Sequence, residues 1–301
     1  MRIAITGATG LIGRALTDDL RGDGHQVVRV TRSRAHAADG DVVWDPDADR
    51  IDAAGLEGLD GVVHLAGEPI GAARWSDDTK RRIRDSRVRG TDLLARTLAG
   101  LDAPPPVLVS SSAVGYYGDR GDEVLTEDST PGDDFLAGVC VAWEAAADPA
   151  RDAGIRVVHP RTGVVIAADG PLLDKVELPF RLGIGGRIGS GRQYVPWISL
   201  TDHVRALRLL LDEDLAGPVN LTGPEPVTNA ELTRALGEIL HRPTVLPIPT
   251  FAISALYGEM GRTLASVSQR ARPARLLAAG FTFVHPDLRS ALRVALRRPA
   301  A

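Results

Sequence analysis

At 301 residues, 44% of them hydrophobic, the chain can bury a substantial core and predicts one doubly wound unit with a smaller appended lobe. Its formal charge of −4 is spread without a block of like charges, which argues against a nucleic-acid or membrane-binding tail. A single cysteine, Cys140, excludes an intrachain disulfide, offers no metal-ligand cluster and fits a reducing cytosol. The opening MRIAITGATG lacks the pattern of a signal peptide, and no apolar run approaches the roughly 18 residues of a membrane span. A cytoplasmic protein is expected.

Along the chain, short β-branched runs alternate with helical stretches. Strands are predicted at residues 2–6, 26–31, 61–65, 107–111 and 156–160, and helices at 11–20, 79–99 and 139–153. This alternation predicts an α/β protein: a parallel sheet with right-handed crossovers, a Rossmann domain over residues 1–165. Beyond that point the alternation is lost, and the glycine-rich stretch 182–193 opens a lobe over 166–301 from which later segments can return to the sheet. Residues 228–240 read as a packing helix with Asn229 as its N-cap. The proline-rich stretch 243–251 reads as extended, and 274–296 as helix, turn and helix broken at Gly280.

The segment TGATGLIG, residues 6–13, sets Gly7, Gly10 and Gly13 between a buried strand and a helix. In that context a glycine-rich turn lets the backbone approach a pyrophosphate at a helix N-terminus, with Thr9, Leu11 and Ile12 as further contacts. The plainer reading, a tight turn without a ligand, is disfavoured by the flanking strand and helix. After the second strand come Thr31, Arg32, Ser33 and Arg34, where a carboxylate would bond the ribose 2′-hydroxyl of NAD and repel a 2′-phosphate. Two guanidiniums there favour NADP(H) over NAD(H), with Arg32 nearest the strand end; solvated loop charges are the alternative. Asp39 and Asp41 come too late for the NAD-type role.

The glycine spacing, Thr6, HLAG (64–67) and SSSAVGYYG (110–118) resemble the extended short-chain dehydrogenase/reductase superfamily. Within it the chain is similar to the atypical "epimerase family" proteins, a group with sugar-nucleotide epimerase-like descriptions. The likeness rests on HLAGEPIGAARW (64–75), KRRIRDSR (80–87), PGDDFLAGVCVAWE (131–144), RTGVV (161–165), LPFRLGIGGRIGSGRQYVPWI (178–198) and AGFTFVHPDLRSAL (279–292). It implies that Leu65, Ala66 and Gly67 pack against the cofactor, that Gly163 and Val165 meet its nicotinamide end, and that Arg87 holds a phosphate or ribose. For Arg87 a solvated helix charge is the alternative, and His64 reads as structural.

The resemblance further implies a Ser that orients the substrate oxygen, a Tyr that moves the proton, and a Lys four residues on that lowers the Tyr pKa and holds the ribose. Ser112 matches the first. The other two positions, eight and four residues before Glu144, fall on Leu136 and Cys140, which can do neither task. Tyr116 and Tyr117 are the nearest phenols, and a phenol of pKa about 10 needs a cation beside it at neutral pH. In the stretch 185–204, Arg192, Gln193 and Trp197 are expected to face a substrate cleft, joined by Glu68, Arg74 and Trp75. For both tryptophans a core position is the alternative. Two functions stay open. One is an NADP(H)-dependent oxidoreductase or epimerase acting on a small carbonyl or sugar-nucleotide-like substrate. The other is a non-catalytic NADP(H)-binding sensor or regulatory module. A homodimer is compatible with the resemblance; no metal, nucleic acid or membrane partner is expected.

Overall fold

In the computed structural model, which describes residues 1–33, 35, 37–71 and 74–296, the first strand sets the architecture. β1 (Arg2–Thr6) turns Ile3 and Ile5 to one face and Ala4 to the other, all fully buried, so both faces require cover. The chain continues through α1 (Leu11–Gly22), β2 (Gln26–Thr31), β3 (Val42–Asp45), β4 (Arg50–Ile51), β5 (Gly61–His64) and α2 (Asp77–Ala99). Next come β6 (Val107–Ser110), β7 (Ser112–Ala113), β8 (Val124–Leu125), α3 (Phe135–Ala145), α4 (Asp148–Asp152), β9 (Arg156–Thr162) and β10 (Val164–Ile166). The later part comprises α5 (Pro171–Arg181), β11 (Tyr194–Val195), β12 (Trp197–Ser199), α6 (Leu200–Asp212), β13 (Gly217–Leu221), β14 (Val227–Thr228) and α7 (Asn229–Leu240). It closes with α8 (Thr250–Ser266), β15 (Arg270–Ala271), α9 (Ala274–Ala278) and α10 (Leu288–Leu296).

The main sheet runs β13-β9-β6-β5-β1-β2-β3-β4, parallel except for the β3–β4 pair, with β7 beside the end of β9. Leu16 and Leu20 of α1 and Leu207 and Leu210 of α6 cover the Ile3/Ile5 face. Leu94 and Leu98 of α2 and Ala150 of α4 cover the Ala4 face. Strand order reverses at β1, which pairs with β2 on one side and β5 on the other, so a crevice opens beyond the carboxyl ends of β1 and β5. A separate core of Leu173, Phe180, Trp197, Leu232, Leu236, Leu288 and Leu292 forms the lobe from α5, β12, α7 and α10. No helix among the described residues is long and apolar enough to cross a membrane.

Three local features depart from the sequence expectation. The helical stretch at 139–153 is two helices, and the first starts earlier because the Asp134 carboxylate caps it by accepting from the Ala137 N–H at 2.9 Å. Thr228, not Asn229, caps α7, in a reciprocal capping box with Glu231, while Asn229 accepts the Ile188 N–H. The alternation also resumes after 165, since α6 and β13 complete the sheet beside β9. The lobe segments inserted between β10 and α6 hide that return in the sequence.

Leu207, Leu210, Leu211, Val219 and Leu221 contribute roughly 10 kcal/mol of apolar burial to the sheet, as much as the whole net stability of an ordinary domain, about 5–15 kcal/mol. A fragment of residues 1–165 is therefore expected to show no cooperative melting by circular dichroism. A sharp transition would mean that the first 165 residues fold without α6 and β13.

Candidate functional site

Three glycines close the turn between β1 and α1. Gly7 has a φ of +66°, and a Cβ there would come to 3.0 Å from Ala66 N and the Leu65 carbonyl, where β5 ends. A Cβ on Gly13 would meet Gly7 O at 2.2 Å, so the first helical turn sits directly on the loop. The Gly10 N–H bonds Gly7 O at 3.0 Å, and Gly10 caps α1 without a side chain. The first turn carries no acidic residue either, which leaves the N–H groups of Leu11, Ile12 and Gly13 for an anion. Thr9 contributes its carbonyl, which accepts from Arg14.

At the end of β2, Thr31 accepts the Ser33 N–H, and Arg32 is exposed with no carboxylate partner among the described residues. Arg34 lies outside the described residues. Asp41 is engaged elsewhere: Arg29 donates to it at 3.1 Å and the Ala38 N–H at 2.7 Å. Asp39 is exposed.

Beyond β5, Thr6 Oγ accepts the N–H groups of Leu65 and Ala66 at 3.0 and 3.1 Å. With both lone pairs used, its proton goes to His64 Nδ1, 2.7 Å away, so the imidazole is neutral with its hydrogen on Nε2. This fully buried ring meets Trp44 edge to face and braces the strand end. Gly67 lies against Arg87, whose Nη1 donates to the carbonyls of Glu68 and Ile83 and whose guanidinium sits 4.9 Å over the Trp143 ring. The Glu68 N–H donates to Ser86.

The deepest part of the site is a polar network. Ser112, on the short β7, donates from Oγ to Glu144 Oε1 at 2.6 Å. Arg161, at the end of β9, grips the same carboxylate through Nε at 2.8 Å and Nη2 at 2.9 Å. Burial opposes the Arg161 charge, but Glu144 outweighs it and holds the guanidinium pKa above its usual value. Tyr116 lies over Arg161, with the guanidinium carbon 3.4 Å from the ring centroid. The Tyr116 hydroxyl has no partner among the described residues and its ring is half-buried. Tyr117 is fully buried; it donates to Asn220 Oδ1 at 2.7 Å and accepts from Arg161 at 3.1 Å, and burial pushes its pKa up to about 12. That environment suits a structural brace, not a proton donor at neutral pH. Leu136 and Cys140 of α3 lie beside Gly115, and burial pushes the Cys140 thiol up to about 12.

The expected substrate residues do not converge. Trp197 is 1% exposed in the lobe core, donates to the Glu225 carbonyl and presses on Gly223, because β12 faces it inward against α7 and α10. It does not face a cleft. Gln193 fastens its loop to the Ile188 and Ala265 carbonyls, and Arg192 is exposed on an open groove with Asp119 and Asp122. Trp75 is buried and donates to the Ile70 carbonyl. Arg74 donates to the carbonyls of Ala255 and Leu256, fastening the loop after β5 to α8. Gly163 is required where a Cβ would meet Pro196 O at 2.4 Å, and Val165 packs on the main core. Sequence reasoning missed Arg161, and used Glu144 only as a marker. An arginine within VVHPRTGVV was the available signal, because a charge inside a buried run must be paired. No group of three or more His, Cys, Asp or Glu among the described residues is arranged to hold a metal.

Burial lowers the His64 pKa from 6.5 to about 4. Above pH 6.5 neither folded nor unfolded chain protonates it; as pH falls from 6.5 toward 4 only the unfolded chain gains the proton, so stability declines. The loss over that window is roughly 3 kcal/mol. A His64→Asn variant, which keeps an acceptor for Thr6, is expected to flatten this part of the urea-unfolding profile between pH 7 and 4.5. An unchanged slope would rule out His64 as its source.

A family model described as the NAD dependent epimerase/dehydratase family matches residues 3–222, and a domain of unknown function matches residues 248–295. An epimerase family protein of Mycobacterium bovis is 46% identical over 298 residues, covering 99% of this chain and 98% of its own. The human epimerase family protein SDR39U1 is 36% identical, covering 97% and 99%. A crystal structure of that human protein with NADPH matches at a TM-score of 0.89 and 35% identity, over 98% of this chain and 99% of the other. A nucleoside-diphosphate sugar epimerase of Corynebacterium glutamicum matches at 0.80 and 38% identity, over 98% of this chain and 58% of the other. With a family model over more than half its length and relatives alike from end to end, the chain belongs to the NAD-dependent epimerase/dehydratase family.

Proposed function

We propose that the protein is an NADP(H)-dependent oxidoreductase or epimerase acting on a small carbonyl or sugar-nucleotide-like substrate, with Tyr116 as its proton donor. The dinucleotide belongs to residues 1–165 together with α6 and β13, and the substrate to the rest of 166–301. The observation that carries the reading is the Arg161 guanidinium 3.4 Å beneath the Tyr116 ring, the cation that the absent lysine would otherwise supply.

The glycine cradle fits a dinucleotide. Leu11, Ile12 and Gly13 would hold the pyrophosphate with their N–H groups, while Arg32, unpaired among the described residues, suits a 2′-phosphate. Asp41 is turned to Arg29 and cannot take the 2′-hydroxyl role. A relative 35% identical over nearly the whole chain holds NADPH. When bound, the nicotinamide donates or accepts the hydride. In the reducing direction Tyr116 gives its phenolic proton to the substrate oxygen as the carbonyl carbon gains the hydride, and the phenolate regains a proton from solvent. Arg161 stabilises that phenolate through the ring face. Glu144 fixes Arg161 and takes the Ser112 hydroxyl proton as a hydrogen bond, which leaves the Ser112 lone pairs to orient a substrate hydroxyl. Leu136 and Cys140 supply neither proton nor charge, and this favours the second reading, a cofactor-binding module without turnover.

Two measurements separate these readings. Titration by nicotinamide fluorescence is expected to give tighter binding of NADPH than NADH, and Arg32→Ala is expected to weaken NADPH about tenfold with NADH little changed. Equal affinities would remove the NADP(H) assignment. NADPH oxidation is then followed against a panel of carbonyl compounds and nucleotide sugars. Tyr116→Phe is expected to lower turnover by roughly 10²- to 10⁴-fold, whereas Tyr117→Phe acts first on stability. Full activity in Tyr116→Phe would exclude this proton donor; tight NADPH binding with no turnover across the panel would establish the binding module.

A further inference from the structure

From Tyr116 outward, one wall of the crevice is apolar. A Cβ on Gly115, the residue before Tyr116, would lie 3.5 Å from Leu136 Cβ, so α3 sets Leu136 beside the turn that carries the phenol. Leu136, Phe135 and Ile70 are partly buried and pack on Trp75 and Met260, which joins α3, the loop after β5 and α8. The same loop then meets α5. The Lys175 ammonium lies 5.6 Å over the Tyr257 ring and would stand 3.1 Å from a Cβ on Gly71. One and two turns beyond Lys175, Leu178 and Leu182 are 64% and 66% exposed, and Leu256 and Tyr257 of α8 are exposed as well. An apolar surface that runs on from a reactive group into solvent is the form of a ligand groove.

A nucleotide sugar would need what this wall lacks. Its diphosphate carries two charges and calls for cations with free N–H groups. Arg74 gives Nε and Nη2 to the carbonyls of Ala255 and Leu256, and Arg187 gives Nη1 to those of Gly189 and Ser190. Lys80 donates to Glu259 at 2.6 Å, and Glu144 neutralises Arg161. Arg192 shares its open groove with Asp119 and Asp122. Lys175, which has no carboxylate partner among the described residues, is one charge against two. Trp197, an aromatic that could stack on a base, is enclosed in the lobe core.

Resting on the reading of Tyr116 as proton donor, we propose that the substrate is an apolar carbonyl compound with a chain of several methylenes, and not a nucleotide sugar. Its oxygen meets Tyr116 and Ser112, and its chain lies along Leu136, Phe135, Ile70, Tyr257 and Leu178. Leu136 thereby has a task of its own: it begins the wall that the chain follows.

The test uses the NADPH complex of the full chain and reads the fluorescence of the bound nicotinamide. Unreactive n-alkanamides from butanamide to octanamide are titrated into the wild type, the double variant Leu178→Gln with Tyr257→Gln, and Val294→Gln, which changes an exposed α10 side chain outside the wall. Affinity in the wild type and in Val294→Gln is expected to rise about threefold for each added methylene, ~100-fold across the series. The double variant is expected to lose about tenfold for octanamide and little for butanamide, and UDP-glucose at millimolar concentration is expected to leave octanamide bound. A series without chain-length dependence overturns the proposal, as does an undiminished slope in the double variant. Displacement of octanamide by micromolar UDP-glucose overturns it in favour of a nucleotide sugar. Octanal is then tested as an oxidant of NADPH: a steep amide series without octanal reduction keeps the apolar site and defeats the Tyr116 reading, whereas failure to bind NADPH defeats the NADP(H) reading itself.

Discussion

A guanidinium inside a protein has to be paired, and at the end of β9 that requirement organises the surrounding structure. Arg161 reaches Glu144 on α3 with two hydrogen bonds, and Glu144 in turn holds Ser112 on β7. The remaining Arg161 donor goes to the Tyr117 hydroxyl and the Glu127 carbonyl. Tyr117 then bonds Asn220 on β13, whose N–H is held by the Glu127 carboxylate. One buried charge thus links α3, β7, β9 and the edge strand β13. Removing one partner of such a pair costs about 3–5 kcal/mol, because the other is stranded in low dielectric.

The adjacent tyrosines show how little the residue type alone decides. Both lie in one short turn and both touch Arg161, yet Tyr117 is closed in by hydrogen bonds and Tyr116 offers the guanidinium only its ring face. A phenol deprived of solvent and bonded as a donor keeps its proton, and that is the state of Tyr117 alone. The sequence YY contains no hint of this division, which is made by neighbours over 40 residues away along the chain.

What was legible in the sequence was what local physics dictates. The glycine turn, the buried strand before it and the apolar period of α1 identify themselves within a dozen residues, and the place of Arg32 just after β2 needs only the end of that strand. Which later segments return to the sheet was obscured, because a lobe of about thirty residues precedes α6 and β13, and periodicity carries no information across such an insertion. Trp197 illustrates the opposite error. Flanked by a polar, glycine-rich loop it read as a cleft residue, but a strand buried on every residue, as β12 is, turns it to the lobe core. The Arg161–Glu144 pair was equally hidden, since 17 residues separate partners that only the packing of α3 beside β9 brings together.

The fastening of α8 differs in kind from the rest of the site. Arg74 holds that helix by the carbonyl oxygens of Ala255 and Leu256. Every amino acid supplies such an oxygen, so the attachment is blind to the side chains that α8 carries. The outer face of α8 can therefore be rewritten by mutation while it stays fastened to the loop after β5. A lobe attached in this way can change its surface without first losing its place against the sheet.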